Sequence, residues 1–563
     1  MSASISAVLL WVVGIPVVFV IVFSFLDGNP VAPGNLTLDN YSKAYGNPQT
    51  FTALTNTLVY AVVVSVVSLA MATVFAWLLE RTDMPGRNTA WVLMLLPIAM
   101  PGMLSSMAWI LLLSPKIGLV NIVARGALSF VGIDLVTGPF NIFSLWGMIF
   151  VEGIRGSTTL FLMMVAAFRL MDPSLEEAAT ISGAKAGYTF RKITLKLMTP
   201  AILAAGMYAL VGNLDDLETP LLIGLPAGIF LLPTLIYFSA AQGSDWGISS
   251  AYTVMFLLLT ITLVAFYYRV VVRKAGKFAT ITGKAYRPRR HRLGRWRWPA
   301  LGLFFVYFFF AVALPAFVLI WASLLPAYEV PSVAAFGRLS FDNYAAIPET
   351  PRIASSIWNS VQLGGFTATA TMLLAFLVAW LVVRQRVRGG LGLDIVAFIP
   401  RAIPSVAIGV ALVVFYLNPA VRWLPIYGTM TIMVLALMAG YLAFASRAAN
   451  SAMSQLNAEL EEAAYVSGVG KVRTLMRITL RLLSPAFIAG WIWVFAHAIR
   501  NLSVPLLLAT SDNQTIATTL YYYWNRKADF SLTSALGVLL LLTLVVVAFI
   551  GRRFVAAGFT KEA

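Results

Sequence analysis

Twelve apolar stretches alternate with shorter polar segments along the chain, and each is long enough to cross a hydrocarbon core about 30 Å thick as a helix. They fall into two sets of six. The stretches lie near 6–26, 57–79, 90–113, 141–168, 198–224 and 250–270, and then near 300–325, 357–382, 392–417, 428–448, 484–509 and 533–551. This pattern predicts an all-α polytopic membrane protein with about 12 transmembrane helices, arranged as two homologous six-helix halves.

The polar segments between these stretches indicate that the halves are repeats. The segment LTLDNY at 36–41 matches LSFDNY at 339–344, and the same offset of 303 residues pairs Asn56 with Asn359 and Arg81 with Arg384. Further along, the offset falls to 285, so we expect 18 extra residues in an outer loop of the first half, near 118–139. We therefore predict a first half at 1–270, a linker at 271–299 and a second half at 300–563.

A second repeated motif lies between apolar stretches in each half. It reads LEEAATISG at 175–183 and LEEAAYVSG at 460–468. Because glycine adopts backbone angles that side chains forbid, Gly183 and Gly468 favour a sharp turn between two short helices. The paired glutamates fall in the first helical turn, where the helix dipole favours negative charge. One copy alone would suit an amphipathic helix at the membrane surface equally well, but the duplication favours docking to a partner.

These two copies resemble the EAA loop of ABC-importer permeases, whose pattern is Glu-Ala-Ala, three residues, Gly, nine residues and Ile-x-Leu-Pro. Only the last proline departs, being Lys196 in one half and Arg481 in the other. The resemblance implies that the loops dock on a separate ATPase, in two copies, and that a substrate-binding protein docks outside the bacterial inner membrane. The implied coupling residues are Glu176, Glu177, Ala178, Ala179, Gly183, Glu461, Glu462, Ala463, Ala464 and Gly468.

Composition excludes several other classes of protein. Apolar residues make up 60% of the chain, charged residues 11%, and the mean hydropathy is +0.84, as expected for a membrane protein. With no cysteine and two histidines, a thiolate or His-rich metal site is excluded. The sequence holds no G-x-x-x-x-G-K-[ST] loop, so we expect no enzyme activity and no cofactor, with ATP bound by the partner subunit.

The net charge of +17 is distributed between the spans rather than in a nucleic-acid-binding module. Most Lys and Arg residues fall in segments on the side of the two EAA-like loops, and the positive-inside rule places both termini in the cytoplasm. The first stretch lacks a basic start and is expected to be a retained span. The basic linker is expected to join the halves and to rest on lipid head groups, with a regulatory or lipid-sensing segment as the alternative.

Charged residues inside the predicted spans are the candidates for a translocation pathway. The offset of 285 aligns Asp215 with Arg500. A charge in a span costs about 2.5–3.5 kcal/mol, so we expect these side chains to face a cavity, where Asp215 and Arg500 would pair across the two halves. The alternative is that the acids cap helix ends near water. The candidate residues are Asp215, Asp216, Glu218, His497, as a pore or packing residue rather than a metal ligand, and Arg500; Arg155 and Arg401 also lie in spans, without an assigned role.

Taken together, the motifs resemble those of a fused permease of the iron(III)-type ABC importers. Ferric iron is then the first candidate substrate; thiamine, phosphonates, sugar phosphates and polyamines are alternatives, because the acids suit a cation and Arg500 suits an anion. A secondary transporter of twelve spans driven by an ion gradient is a rival of another class, and a channel or scaffold is a third. Both rivals leave the duplicated loops unexplained.

Overall fold

The computed structural model describes residues 11 and 14–559, apart from 173, 242–244, 271–289, 386, 388, 399, 401–402 and 458. The described part is helical and contains no strand, only isolated bridges. The first half contains α1 Ile15–Phe23, α2 Asp39–Gly46, α3 Pro48–Arg81, α4 Arg87–Leu95, α5 Gly102–Leu113, α6 Leu119–Ser129, α7 Leu145–Leu170, α8 Ser174–Ile181, α9 Ala186–Thr189, α10 Leu195–Leu197, α11 Thr199–Leu214, α12 Leu232–Ala241 and α13 Trp246–Val270.

The second half repeats this order of helices. It contains α14 Arg297–Phe308, α15 Leu314–Ser323, α16 Val333–Phe336, α17 Asp342–Glu349, α18 Pro351–Ala379, α19 Gly390–Phe398, α20 Ser405–Leu417, α21 Met430–Gln455, α22 Glu459–Val466, α23 Lys471–Thr474, α24 Leu480–Leu482, α25 Ser484–Ile499, α26 Ser503–Leu508, α27 Ile516–Asn525 and α28 Phe530–Phe559. Short π-helical segments lie at Phe190–Thr194, Pro220–Gly224, Phe309–Ala313, Trp380–Arg384 and Leu475–Thr479, and 3₁₀ turns lie at Leu96–Ala99, Leu225–Ala227, Gly294–Trp296 and Pro419–Val421.

The described residues include seven straight helices long and apolar enough to cross a membrane, or up to eleven spans if each bent pair counts once. The prediction of an all-α polytopic protein is therefore confirmed. Several of the predicted spans consist of two helical pieces that meet at an angle. The predicted span 90–113 consists of two helical pieces, Arg87–Ala99 and Gly102–Leu113, that meet at 96°. Pro97 and Pro101 lie at this break, where proline removes backbone donors and disfavours a continuous helix.

The predicted fifth spans are also interrupted. Helix α11 ends at Leu214, and the chain then turns into a bent pair, Pro220–Ala227 and Leu232–Ala241, with an angle of 80° between the pieces. In the second half α25 ends at Ile499, before the short helix α26. The apolar runs 198–224 and 484–509 continue through these breaks, and hydropathy alone does not reveal a change of direction.

The two halves pack on each other reciprocally. Helix α1 of the first half contacts α20 of the second, and α15 of the second half contacts α5 of the first. Two hydrogen bonds join the same regions, from Trp11 Nε1 to the Tyr416 hydroxyl at 3.2 Å and from the Tyr328 hydroxyl to the Leu111 carbonyl at 2.6 Å. The first span of each half therefore packs against the third span of the other half.

The repeated Asp-Asn-Tyr segments have the same structural role in both halves. Asn40 donates from Nδ2 to the carbonyl of Leu26 at 2.7 Å, and Asn343 donates to that of Leu325 at 2.8 Å. The neighbouring Tyr41 hydroxyl lies 2.6 Å from Ser24 Oγ, and Tyr344 contacts Ser323 at 2.7 Å in the equivalent way. These bonds satisfy backbone carbonyls where each first span ends, which explains why this polar segment occurs twice.

The end of the linker packs on the first half, while residues 271–289 lie outside the described part. The His291 amide donates to the Arg81 carbonyl at 2.9 Å, and the Asp83 amide donates to the His291 carbonyl at 3.0 Å. Trp296 and Trp298 are exposed beside Arg295 and Arg297. Exposed Trp and Arg side chains at the start of a span suit the lipid head-group region, as expected for the linker.

Candidate functional site

Each EAA-like loop consists of two short helices joined at its glycine. In the first loop α8 and α9 flank Gly183, whose φ is +82°, and in the second α22 and α23 flank Gly468, whose φ is +79°. Positive φ angles strain residues with a side chain, so the predicted turn glycines are confirmed in this role. The Glu pairs lie in the first turn of α8 and α22, as predicted.

The two glutamates of each loop differ in how far their side chains are exposed. Glu176 and Glu461, the first of each pair, are only 3% and 4% exposed. Glu177 is partly buried and Glu462 is exposed. In this conformation the side chains of the first glutamates are not part of the outer surface of the loops. Sequence reasoning had placed both members of each pair among the ATPase-coupling residues without this distinction.

The outer surface of the loops is apolar as well as acidic. Ala178 and Ala463 are exposed, Ala179 is partly buried and Ala464 is buried. Beside them, Ile181 is 81% exposed and Val466 is 90% exposed, at equivalent positions in the two loops. Other large apolar side chains exposed here are Leu175, Tyr188, Leu460 and Met476. Such a repeated apolar patch on a polar loop is typical of a protein–protein contact.

The candidate pathway residues line one cavity of about 540 Å³ between the halves. The structure brings together all five, namely Asp215, Asp216, Glu218, His497 and Arg500, with Glu152, Arg155, Ser405 and Tyr441. Arg401 lies outside the described residues. Asp215 and Arg500 are at the helix breaks of the two fifth spans, directly after α11 and α25, and not within helices as the sequence predicted. Since α11 has 16 residues, Asp215 lies about 24 Å from the start of that helix.

Asp215 and Arg500 each contact the broken third span of the opposite half. Asp215 Oδ1 accepts hydrogen bonds from the Ser405 amide at 2.7 Å and from its hydroxyl at 2.9 Å, at the start of α20. Arg500 Nη1 donates to the carbonyl of Ile98 at 3.0 Å, just before the break in the first half's third span. The carboxylate thus meets the positive end of a helix dipole, and the guanidinium donates to a backbone carbonyl near the end of a helical piece. These contacts differ from the predicted ion pair, so pairing in another conformation stays a prediction.

The other acids are held by partners from their own half. Glu218 Oε2 accepts from the Met103 amide at 2.9 Å, at the start of α5, so both interrupted third spans have an acid at the helix start. Asp216 Oδ2 accepts from the Tyr60 hydroxyl, and its Oδ1 accepts from the Glu218 amide at 3.1 Å. Glu218 therefore caps the start of a helix, as in the alternative stated for these acids. It does so at the wall of a cavity between the halves.

An ion pair between Glu152 and Arg155 also belongs to this site, and it is not among the features predicted from the sequence. Arg155 Nε donates to Glu152 Oε2 at 2.7 Å, and both side chains line the cavity. Their spacing of three residues on an apolar helix was a usable signal, because such residues share one helix face. Arg155 was noted in the sequence without a partner, and Tyr60 gave no signal because tyrosine is common in membrane helices.

His497 belongs to an aromatic stack on the second half's side of the cavity. Its ring stacks on Trp493 at 3.9 Å between centroids, and Trp493 stacks on Phe444 at 3.7 Å. The His497 Nδ1–H donates to the Trp493 carbonyl at 2.8 Å. Among the described residues no group of His and acidic side chains is arranged to hold a metal ion. His497 therefore packs and hydrogen-bonds at the cavity wall.

Comparison with known proteins gives one family match and three relatives. Residues 66–276 and 371–561 match the family described as "Binding-protein-dependent transport system inner membrane component". The "Putative ferric transport system permease protein FbpB 1" of Haemophilus influenzae is 25% identical over 89% of this chain and 76% of its own length. The "Ferric transport system permease protein FbpB" of Actinobacillus pleuropneumoniae is 24% identical over 94% of this chain and 74% of its own length. The "Fe(3+)-transport system permease protein FbpB 2" of H. influenzae is 21% identical over 88% of both chains.

Proposed function

Because the chain belongs to the family of binding-protein-dependent transport system inner-membrane components, we propose that it forms the membrane pathway of an importer for ferric iron. Family membership confirms the resemblance to a fused ABC-importer permease, matched once in each half. The chain is thus a multi-pass inner-membrane permease and not itself an enzyme. An ATPase and a substrate-binding protein are its partners in this class.

The substrate proposal is supported by relatives that are named as ferric transport permeases. The observation that carries the transport mechanism is the charged cavity between two halves that each have a docking loop. Asp215, Asp216, Glu218, His497 and Arg500 form the pathway wall in this proposal. One ATPase copy binds each loop, a loaded binding protein docks outside, and ATP-driven closure of the ATPases moves the halves relative to each other.

The same proposal includes the orientation and the three regions of the chain. Both termini and the linker 271–299 lie in the cytoplasm, with the permease halves at 1–270 and 300–563. The positive-inside rule supports this orientation, because the basic residues cluster on the side of the docking loops. Exposed Trp296 and Trp298, beside arginines, support a linker end at the lipid surface.

The test is uptake of radiolabelled ferric iron into proteoliposomes that contain the full chain with its ATPase and substrate-binding protein. We expect uptake to require ATP and the iron-loaded binding protein. Thiamine, a phosphonate, a sugar phosphate and a polyamine are offered in the same assay, and uptake of one of these instead of iron would contradict the substrate assignment. Uptake driven by an ion gradient without the ATPase would identify a secondary transporter and contradict the class.

A further inference from the structure

Helix α3 connects the first docking loop with the cavity between the halves. It runs unbroken from Pro48 to Arg81, with buried polar contacts to the docking loop at Arg81 and to the cavity wall from Tyr60 and Ser65. At the end near the docking loop, Arg81 donates from Nη2 to the carbonyls of Phe168 and Met171, both at 3.0 Å. Its Nε lies 3.3 Å from Glu176 Oε2, the buried first glutamate of the loop.

Glu176 also contacts the later part of the loop. Its Oε1 accepts a hydrogen bond from the Thr194 hydroxyl, and Thr194 is fully buried in the π-helical segment that follows α9. The segment before the loop contacts Arg81, the loop helix α8 contributes its partner Glu176, and the segment after the loop contacts Glu176. A buried ion pair that loses one partner leaves an uncompensated charge, so α3 and the loop are expected to move together.

The second half repeats this arrangement at equivalent positions. Arg384 donates to the carbonyl of Leu456, and its Nε lies 3.8 Å from Glu461 Oε1. Glu461 Oε1 in turn accepts from the Thr479 hydroxyl at 2.6 Å. The sequence separation between glutamate and threonine is 18 residues in both halves. The same Arg–Glu–Thr arrangement is thus present in both repeats, with Arg81 buried and Arg384 partly buried, which indicates a role in the loop itself.

The halves differ at the other end of the helix. In the first half the buried Tyr60 donates its hydroxyl to Asp216 of the cavity, and Ser65 accepts from Asn213 at 3.0 Å. Tyr60 and Arg81 are 21 residues apart, which is about 31 Å along a helix. The offset of 303 residues places Leu363, a buried apolar residue, at the equivalent of Tyr60. The cavity residue equivalent to Asp216 is Asn501, which bonds Tyr441 of another helix, α21.

We propose that α3 transmits movement of the first docking loop to the acidic side of the cavity, and that the equivalent span of the second half lacks this link. Tyr60 on α3 and Glu176, which pairs with Arg81 at the end of α3, are then positioning residues for transport. The inference rests on the proposed function as an importer permease. It assigns unequal roles to two docking loops whose sequences are nearly the same.

The first test is the variant Tyr60→Phe in proteoliposomes with the ATPase and the binding protein. The readout is the ratio of the ATPase rate with iron-loaded binding protein to the rate without it. Removing only the hydroxyl is expected to lower this ratio at least about fivefold, the lower range of coupling between distant sites. Tyr344→Phe is the matched control, because it removes the hydroxyl of another tyrosine, which is partly buried, bonded to Ser323 of the second half and not part of α3. An unchanged ratio in Tyr60→Phe would overturn the proposal.

The second test asks whether the two ends of α3 act as one unit. Glu176→Gln and Glu461→Gln each remove a buried ion pair and keep an oxygen that accepts from the neighbouring threonine. In the Tyr60→Phe variant, adding Glu176→Gln is expected to lower the stimulation ratio little further. Adding Glu461→Gln is expected to lower the ratio by the same factor as Glu461→Gln does in the otherwise unaltered chain. If both glutamate variants lower the stimulation ratio by the same factor in the Tyr60→Phe variant, transmission through α3 is contradicted. If Glu176→Gln does not assemble, Glu176→Asp and Glu461→Asp replace the pair.

The wild-type measurement separates this proposal from the proposed function. Without ATP-dependent iron uptake by the unaltered complex, the assignment as an iron importer fails. With normal wild-type uptake and no asymmetry between the two glutamate variants, only the transmission through α3 fails.

Discussion

Four acidic residues line the cavity, and each accepts hydrogen bonds from the protein itself. The sequence identified Asp215, Asp216 and Glu218 because charges inside an apolar run are costly. It did not identify their partners, because Tyr60 lies 156 residues from Asp216 and Ser405 lies 190 from Asp215. Such contacts depend on how the helices pack, and no local pattern encodes them.

Asp215 and Arg500 are predicted to be coupled although they contact different residues. Each joins its own half to the third span of the other half, so loss of one is expected to loosen the same interface as loss of the other. The measurement is a double-mutant cycle on substrate-stimulated ATPase activity with Asp215→Ala, Arg500→Ala and the double variant. We expect a coupling energy above about 0.5 kcal/mol. Additivity within that value would indicate that the two residues act independently.

Gly102 is predicted to be essential for the start of α5. A Cβ there would lie 2.7 Å from Glu218 Oε2 and 3.4 Å from Arg155 Cζ. Gly102→Ala is therefore expected to displace Glu218 from the Met103 amide, with little loss of fold stability because a flexible side chain can move aside, and to lower uptake.

The matched control for this variant is Gly440→Ala. Gly440 also lines the cavity, but an added Cβ would meet no heavy atom within 4 Å. Thermal unfolding and iron uptake are measured for both variants. Equal behaviour of the two would show that the close approach at Gly102 has no functional consequence.

At the scale of the elements, the sequence predicted where apolar helices lie but not where they bend. A run such as 90–113 is apolar throughout, so its composition indicates a single span, yet its two pieces meet at 96°. Pro97 and Pro101 signalled a possible break without giving its angle. The second piece of the bent pair around 220–241 packs on α3, where the Leu232 amide donates to the Thr57 hydroxyl, and its direction depends on such contacts.

The docking helices α8 and α22 are predicted to bind the ATPase through their exposed faces. Glu177→Arg and Glu462→Arg together reverse charge on those faces, so we expect loss of ATPase co-purification and of uptake, with normal insertion of the chain. Gly183→Val or Gly468→Val is expected to weaken association as well, because a left-handed backbone costs a residue with a side chain about 1–2 kcal/mol.

Glu349→Arg is the control for charge reversal. Glu349 is exposed at the end of α17, in the segment between the first and second spans of its half, which is predicted to lie outside the membrane. It is expected to leave ATPase association unchanged. Normal co-purification with the Glu177→Arg, Glu462→Arg variant would remove the basis for the docking assignment.

At the scale of the whole molecule, the repeat in the sequence anticipated the pairing of elements in the two halves. The equivalences Arg81 with Arg384 and Asn40 with Asn343 correspond to equivalent contacts in the structure. The reciprocal packing of first spans on opposite halves was not predicted. It depends on the relative position of the halves, which a repeat offset does not encode.

Orientation is the fourth prediction. The chain has no cysteine, so a single introduced cysteine reports its own location. In intact cells Ala285→Cys, in the linker, is expected to resist an impermeant thiol reagent, because the distribution of Lys and Arg places it in the cytoplasm. Val136→Cys is the control, since Val136 is almost fully exposed in the predicted outer loop. Labelling at position 285 together with protection at position 136 would show that the chain has the opposite orientation in the membrane.

The exchange of first spans between the halves has a consequence for biogenesis. Residues Gly102–Leu112 of α5 are all buried, and part of their cover is α15, which begins about 200 residues after α5 ends. At about 5–20 residues per second, a ribosome reaches α15 on the order of 10–40 s after completing α5. During that interval the nascent first half holds an uncovered face within the bilayer. Fusion of both halves into one polypeptide ensures that the segment able to cover it arrives on the same ribosome, at a fixed delay and a one-to-one ratio.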